Sequence, residues 1–137
     1  MHRKLGYFFG FVAVLSMALS SCSPAANGPS TTLNVDLSDF AFTPKAVTIP
    51  AGKEITLNLN NKGANVHEWV LMKAGTSVTP PFGDKDEGNI YWELDDVQPG
   101  TQKFGTFTAP AVGTYEVVCG TSGHIEHGMV GTLTVVQ

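Results

Sequence analysis

Residues Gly113 to Val135 read GTYEVVCGTSGHIEHGMVGTLTV, and they decide the architecture. Apolar residues recur every second position: Tyr115, Val117 and Cys119 share one face with Glu116 opposite, and Met129, Leu133 and Val135 share another with the threonines opposite. A period of two marks strands with one buried face. The intervening segment, rich in glycine, has no such period and reads as a loop. Upstream the period continues. Leu33, Val35 and Leu37 alternate with polar residues, Val47 and Ile49 follow a Thr43-Pro44 turn, and Ile55, Leu57 and Leu59 alternate with Thr56, Asn58 and Asn60. Further alternating runs cover 66–72, 90–94, 102–107, 114–119 and 129–136. Turns such as Pro-Ala-Gly, Asn-Lys-Gly, Gln-Pro-Gly and Ala-Val-Gly separate them. About eight short strands so punctuated predict an all-β fold, a Greek-key sandwich or barrel. Segment 73–89 is the least regular and admits a helical turn. Phe40, Phe42, Trp69, Trp92, Phe104, Phe107 and Tyr115 are expected to supply core bulk.

The inward faces carry unusual side chains. His67 shares a face with Trp69 and Leu71 at the start of one strand, Cys119 ends another, and Met129 opens the last. If the last two strands run antiparallel, and the His67 strand runs against the Cys119 strand, these three side chains meet at one pole. His124, in the loop between Cys119 and Met129, can reach the same point. One thiolate, two imidazoles and a thioether form a soft donor set without carboxylate. It suits copper rather than magnesium, calcium or manganese, and a trigonal His₂Cys site with a weak methionine is a blue-copper arrangement. Thiolate and thioether favour Cu(I), imidazole accepts both valences, and a stiff β-scaffold keeps the rearrangement between them small. His127, separated from Cys119 by seven residues, is the alternative second imidazole; its plainer reading is an exposed loop histidine.

At these residues the sequence resembles the cupredoxin family of plastocyanins, azurins and auracyanins. The stretch Cys119 to Val135, the preceding Gly113 to Val118, Phe42-Thr-Pro, Val47-Thr-Ile-Pro-Ala-Gly and Asn65-Val66-His67 carry the likeness, which covers nearly all of 32–137. The Cys-to-His loop and the N-terminal segment look most like auracyanins. The resemblance implies His67, Cys119 and His124 as equatorial ligands of one copper ion cycling between Cu(I) and Cu(II), and Met129 as axial ligand. It also implies single-electron shuttling between membrane-bound redox complexes. One position departs from the family: Glu68 stands where an Asn usually follows the first histidine and ties its strand to the loop beyond the cysteine. That tie is expected to be altered, or moved to Thr121 and Ser122.

The chain of 137 residues is long enough for one domain, and a formal charge of −4 argues against nucleic acid. Its first 21 residues read as an export signal: His2, Arg3 and Lys4 precede an apolar run from Leu5 to Leu19. Leu19-Ser20-Ser21-Cys22 resembles a bacterial lipobox, which implies a lipid on Cys22. Residues 22–31 then form a flexible tether, and the domain occupies 32–137. The expected place is the outer face of a bacterial membrane, held by lipid. Removing the signal takes Arg3 and Lys4, leaving six basic against twelve acidic side chains, a charge of −6. Cys119 is then the single thiol free of lipid.

Two surfaces are candidates for docking. Asp84, Asp86, Glu87, Glu93, Asp95 and Asp96 form an acidic stretch with Lys85 as its one cation. It reads either as a solvated loop or as a steering surface for a basic redox partner. The other candidate is the edge around His124, where Gly123, Ile125 and Gly128 are small or apolar. The chain is expected to act as a monomer. Other readings are weaker. A copper scavenger or delivery protein calls for a cluster of methionines, yet beyond the signal only Met72 and Met129 are present. A Cys119–His124 nucleophile and base would lack an evident oxyanion donor.

Overall fold

The computed structural model describes residues 28–137. Nine strands and one short helix follow one another: β1 (Thr32–Ser38), β2 (Ala41–Thr43), β3 (Ala46–Pro50), β4 (Glu54–Asn61), β5 (His67–Met72), α1 (Asp84–Glu87), β6 (Ile90–Val97), β7 (Gln102–Thr108), β8 (Gly113–Val118) and β9 (Val130–Val136). They form two sheets, β2-β1-β4-β7 and β3-β9-β8-β5-β6. Most neighbours are antiparallel, while β1 pairs parallel with β4 and β3 with β9. The fold takes hold just before β1: the Ser30 N–H donates to the Thr48 carbonyl, and the Thr31 carbonyl accepts from Thr56. The signal and Cys22 lie outside the described residues.

Alternation puts one face of each strand into the space between the sheets. Leu33, Val35, Leu37, Ile55, Leu57 and Leu59 meet Ile49, Trp69, Leu71, Tyr115, Val117, Leu133 and Val135 there. Cys119 and Met129 belong to the same cluster, so the sulfur donors sit at the end of the main core. A second, smaller cluster lies on the outer face of the five-stranded sheet. Val70, Met72, Val118 and Ile125 pack under Val78, Phe82 and Ile90. This explains the irregular segment 73–89, which contains α1 and lays its apolar residues over that face.

Two expected core residues are not in the core. Phe104 is 75 % exposed, because it shares the outward parity of Gln102 and Thr106 on β7. Phe40 is 38 % exposed, because it lies in the turn after β1 with φ 68°, which swings its ring away from the Phe42 face. The three-residue β2 is too short to give a periodic signal.

Candidate metal centre

Register brings the donors together. β5 runs antiparallel to β8 with Val70 opposite Val118, so His67 and Glu68 at the start of β5 lie beside the residues that follow β8. β8 runs antiparallel to β9 with Val118 opposite Val130. One step further, the Cys119 N–H donates to the Met129 carbonyl at 3.2 Å. Met129, fully buried, donates its own N–H to the His124 carbonyl at 3.0 Å, which closes the loop onto the same pole. Gly123 and Gly128, with φ of 82° and 92°, let that loop fold back within so few residues.

The result is a compact triangle. His67 Nδ1 lies 3.2 Å from His124 Nδ1, and the Cys119 sulfur lies 3.9 Å and 3.4 Å from these two nitrogens. A point equidistant from corners spaced 3.2, 3.4 and 3.9 Å is about 2 Å from each, the length of a bond from a transition metal to imidazole or thiolate. His67, Cys119 and Met129 are wholly buried and His124 nearly so. The donor set therefore fits a soft or borderline metal in a dry, closed site, and its chemistry favours copper.

Charge is suppressed at the triangle. Burial holds the His67 imidazole below its usual pKa, helped by His124 and opposed by Asp39, and burial does the same to His124. Both rings are thus neutral and ready to ligate at pH 7. Burial pushes the Cys119 thiol up, so a metal must displace its proton on binding.

Hydrogen bonds around the triangle fix its parts. The Glu68 N–H donates to the Cys119 sulfur at 3.4 Å. The Thr121 hydroxyl donates to the Val66 carbonyl at 3.2 Å, so the strand-to-loop tie runs through Thr121 while Glu68 contributes its backbone. The Glu68 carboxyl is half-buried, and burial together with Asp95, Asp96 and Glu93 pushes its pKa up.

The residue that the sequence reading missed is Asp39. Its carboxylate lies 3.3 Å from His67 Nε2 and accepts the N–H groups of Ala64 and Asn65. A carboxylate behind a ligating histidine fixes the tautomer, here leaving the Nδ1 lone pair turned toward the triangle. Gly63 makes room for this pair: a Cβ there would stand 2.5 Å from Asp39 Oδ1 and 2.8 Å from His67 Nε2. No spacing rule connects Asp39 to a histidine 28 residues later.

Other expected contacts fall differently. His127 is exposed, stacks on Phe40 and donates Nδ1–H to the Gly123 carbonyl at 2.7 Å, away from the triangle. Ile125 is buried in the second cluster, where it pins the loop, so it offers no surface for docking. Asp86 is buried too: it accepts the Gly83 N–H and pairs with Lys85, which makes it a helix-capping residue. Asp84, Glu87, Glu93, Asp95 and Asp96 remain exposed, with Asp95 paired to Lys103.

A family profile described as cupredoxin-like domain matches residues 11–135. Auracyanin-A of Chloroflexus aurantiacus is 32 % identical over 100 residues, covering 63 % of this chain and 62 % of that protein. The copper-resistant cuproprotein CopI of Pseudomonas aeruginosa is 29 % identical over 166 residues, covering 96 % of this chain and 92 % of CopI. The structure of dithionite-reduced auracyanin from Roseiflexus castenholzii superposes with a TM-score of 0.70 at 33 % identity, covering 80 % of this chain and all of that one.

Proposed function

The chain belongs to the family of cupredoxin-like domains, and from that premise we propose that it is a type 1 copper protein carrying single electrons between membrane-bound redox partners. The observation that carries the reading is the buried His67–Cys119–His124 triangle with Met129 beside it. Copper bound there supplies one-electron exchange between Cu(I) and Cu(II). The protein's part is to hold the donors still. Three strand ends, the Glu68 N–H on the sulfur, the Asp39 carboxylate behind His67 and the Thr121 bridge all resist rearrangement. A site that changes little between valences presents a small barrier to electron exchange.

The same closure favours a carrier over an enzyme, since the four donors leave no position lined for a substrate. The exposed members of the acidic stretch, Asp84, Glu87, Glu93, Asp95 and Asp96, would steer a basic partner and set its on-rate. Anchoring through a lipid on Cys22, at the outer face of a bacterial membrane, would confine a monomeric carrier to the surface where its partners lie.

The likeness to CopI supports a second reading, a protein that sequesters or delivers copper. The two readings part on one experiment. Copper-loaded protein is cycled repeatedly between dithionite and ferricyanide in the presence of a chelator while its visible spectrum is followed. A carrier shows an intense thiolate-to-copper band that returns in full after each cycle. A pale spectrum sinks the type 1 assignment, and progressive loss of copper to the chelator favours delivery.

A further inference from the structure

We infer that the Phe40 ring, clamped against His127, is a shutter over the metal pole that keeps copper in and small ligands out. The inference rests on the copper reading above, and it concerns access to the site rather than its ligands.

Phe40 adopts φ 68°, in the left-handed region that bulky aromatic residues avoid. Such a backbone persists where the surroundings over-determine it, and these residues gather at clamps and sites. Here two contacts do so. The Phe40 ring meets the His124 ring edge-on, with centroids 5.3 Å apart and planes at 79°. It also stacks on His127 at 4.5 Å and 26°. His127 is itself held by its 2.7 Å bond to the Gly123 carbonyl, within the loop that carries His124. The turn after β1 thereby reaches across to the metal-site loop and closes on it.

Exposure sets the order of the layers. His124 is 5 % exposed, whereas Phe40 is 38 % exposed and His127 is also open to solvent. Phe40 and His127 therefore stand between the His124 ring and solvent on the side they cover. A redox partner would touch these rings, and electron exchange through packed rings needs no opening. A chelator or an anion must reach the donors themselves, so it must wait for Phe40 to lift. The shutter separates passage of electrons from passage of ions. Asp39, the neighbour of Phe40, fixes His67 from behind, so one two-residue turn serves both imidazoles.

If the shutter is open about one-tenth of the time or less, its removal raises the rate of access about tenfold or more. The test compares wild type, Phe40→Gly, Phe40→Leu and His127→Ala, each loaded with copper and reduced. Bicinchoninate draws off Cu(I), and release is timed. Glycine suits φ 68°, so Phe40→Gly removes the ring and relieves the backbone together. Its thermal midpoint is expected to match or exceed that of wild type, and its oxidised form should keep the intense band, since no donor is lost. Release should be about tenfold faster in Phe40→Gly, close to wild type in Phe40→Leu and intermediate in His127→Ala. Alkylation of Cys119 by iodoacetamide in the metal-free protein should follow the same order. Equal release from wild type and Phe40→Gly overturns the shutter while leaving the copper reading intact. Absence of the band from wild type sinks the copper reading instead. If Phe40→Gly fails to fold, unchanged release in His127→Ala overturns the proposal by itself.

Discussion

The metal pole and the acidic margin differ in almost every physical respect. At the pole His67, Cys119 and His124 are buried and uncharged, with the Glu68 N–H on the Cys119 sulfur and the Asp39 carboxylate behind His67. Along Asp84 to Asp96 the carboxylates other than the buried Asp86 stand in solvent; Lys85 pairs with Asp86 and Lys103 with Asp95. On the proposed reading the tasks separate: the region that excludes charge would set the chemistry, and the region that displays charge would set the encounter. The two meet at Glu68, whose backbone holds the Cys119 sulfur while its carboxyl faces Glu93, Asp95 and Asp96.

The contrast breaks most severely if the pole loses the Asp39 carboxylate behind His67. Asp39→Asn should weaken copper binding about 10–100-fold, the usual cost of losing a partner behind a metal-bound histidine. Competition with a chelator of known affinity measures it. The reduction potential should rise, because a less basic His67 stabilises Cu(II) less. Gly63→Ala should act in the same direction, since its Cβ would displace the Asp39–His67 pair.

A smaller effect follows from the neutral imidazoles. His67 and His124 are both held below the ordinary value of 6.5. As pH falls through 6.5, the unfolded chain takes up protons that the metal-free fold refuses. The contribution of these two histidines to apo stability should therefore be flat above pH 6.5 and decline below it, by up to about 1.4 kcal/mol per pH unit for each histidine. Urea melts at a series of pH values read this slope, and a flat profile down to pH 5 would show that the pole is not sealed against protons. Thr121→Val should cost about 1 kcal/mol of apo stability by removing its bond to Val66.

The acidic margin should give the smallest response. Asp84→Lys with Glu93→Lys is expected to leave the spectrum and potential nearly unchanged. It should slow electron exchange with a cationic oxidant by less than about tenfold at low salt, with the difference vanishing at high salt. A shift in the visible band would mean that the two regions are not separable.

The sandwich was legible because β1, β4 and β9 each have one buried face, and parity alone aligned His67, Cys119 and Met129. Their meeting needed only that β5, β8 and β9 alternate in direction, which they do. Parity could also have kept Phe104 out of the core, since it falls on the Gln102 and Thr106 side; judging it by bulk misplaced it. Phe40 was beyond such reasoning, because a phenylalanine gives no sign that its backbone turns left-handed. Ile125 and Asp86 looked like surface residues because their partners, Val70 and Val118 for one and the Gly83 N–H for the other, come from packing or capping rather than from periodicity. Asp39 was hidden for the same reason: its partner arrives from another strand.

The strands lie in the sandwich with Ser30 and Thr31 stitched in at the base of β1, while Asp39 and Phe40 follow its far end. Seven residues of strand, at about 3.3 Å each, put that stitch roughly 20 Å from the histidines. A mooring upstream would pull on the stern and leave the prow clear, and a fluorophore or immobilising tag spliced ahead of Gly28 should report on collisions at the prow without altering them.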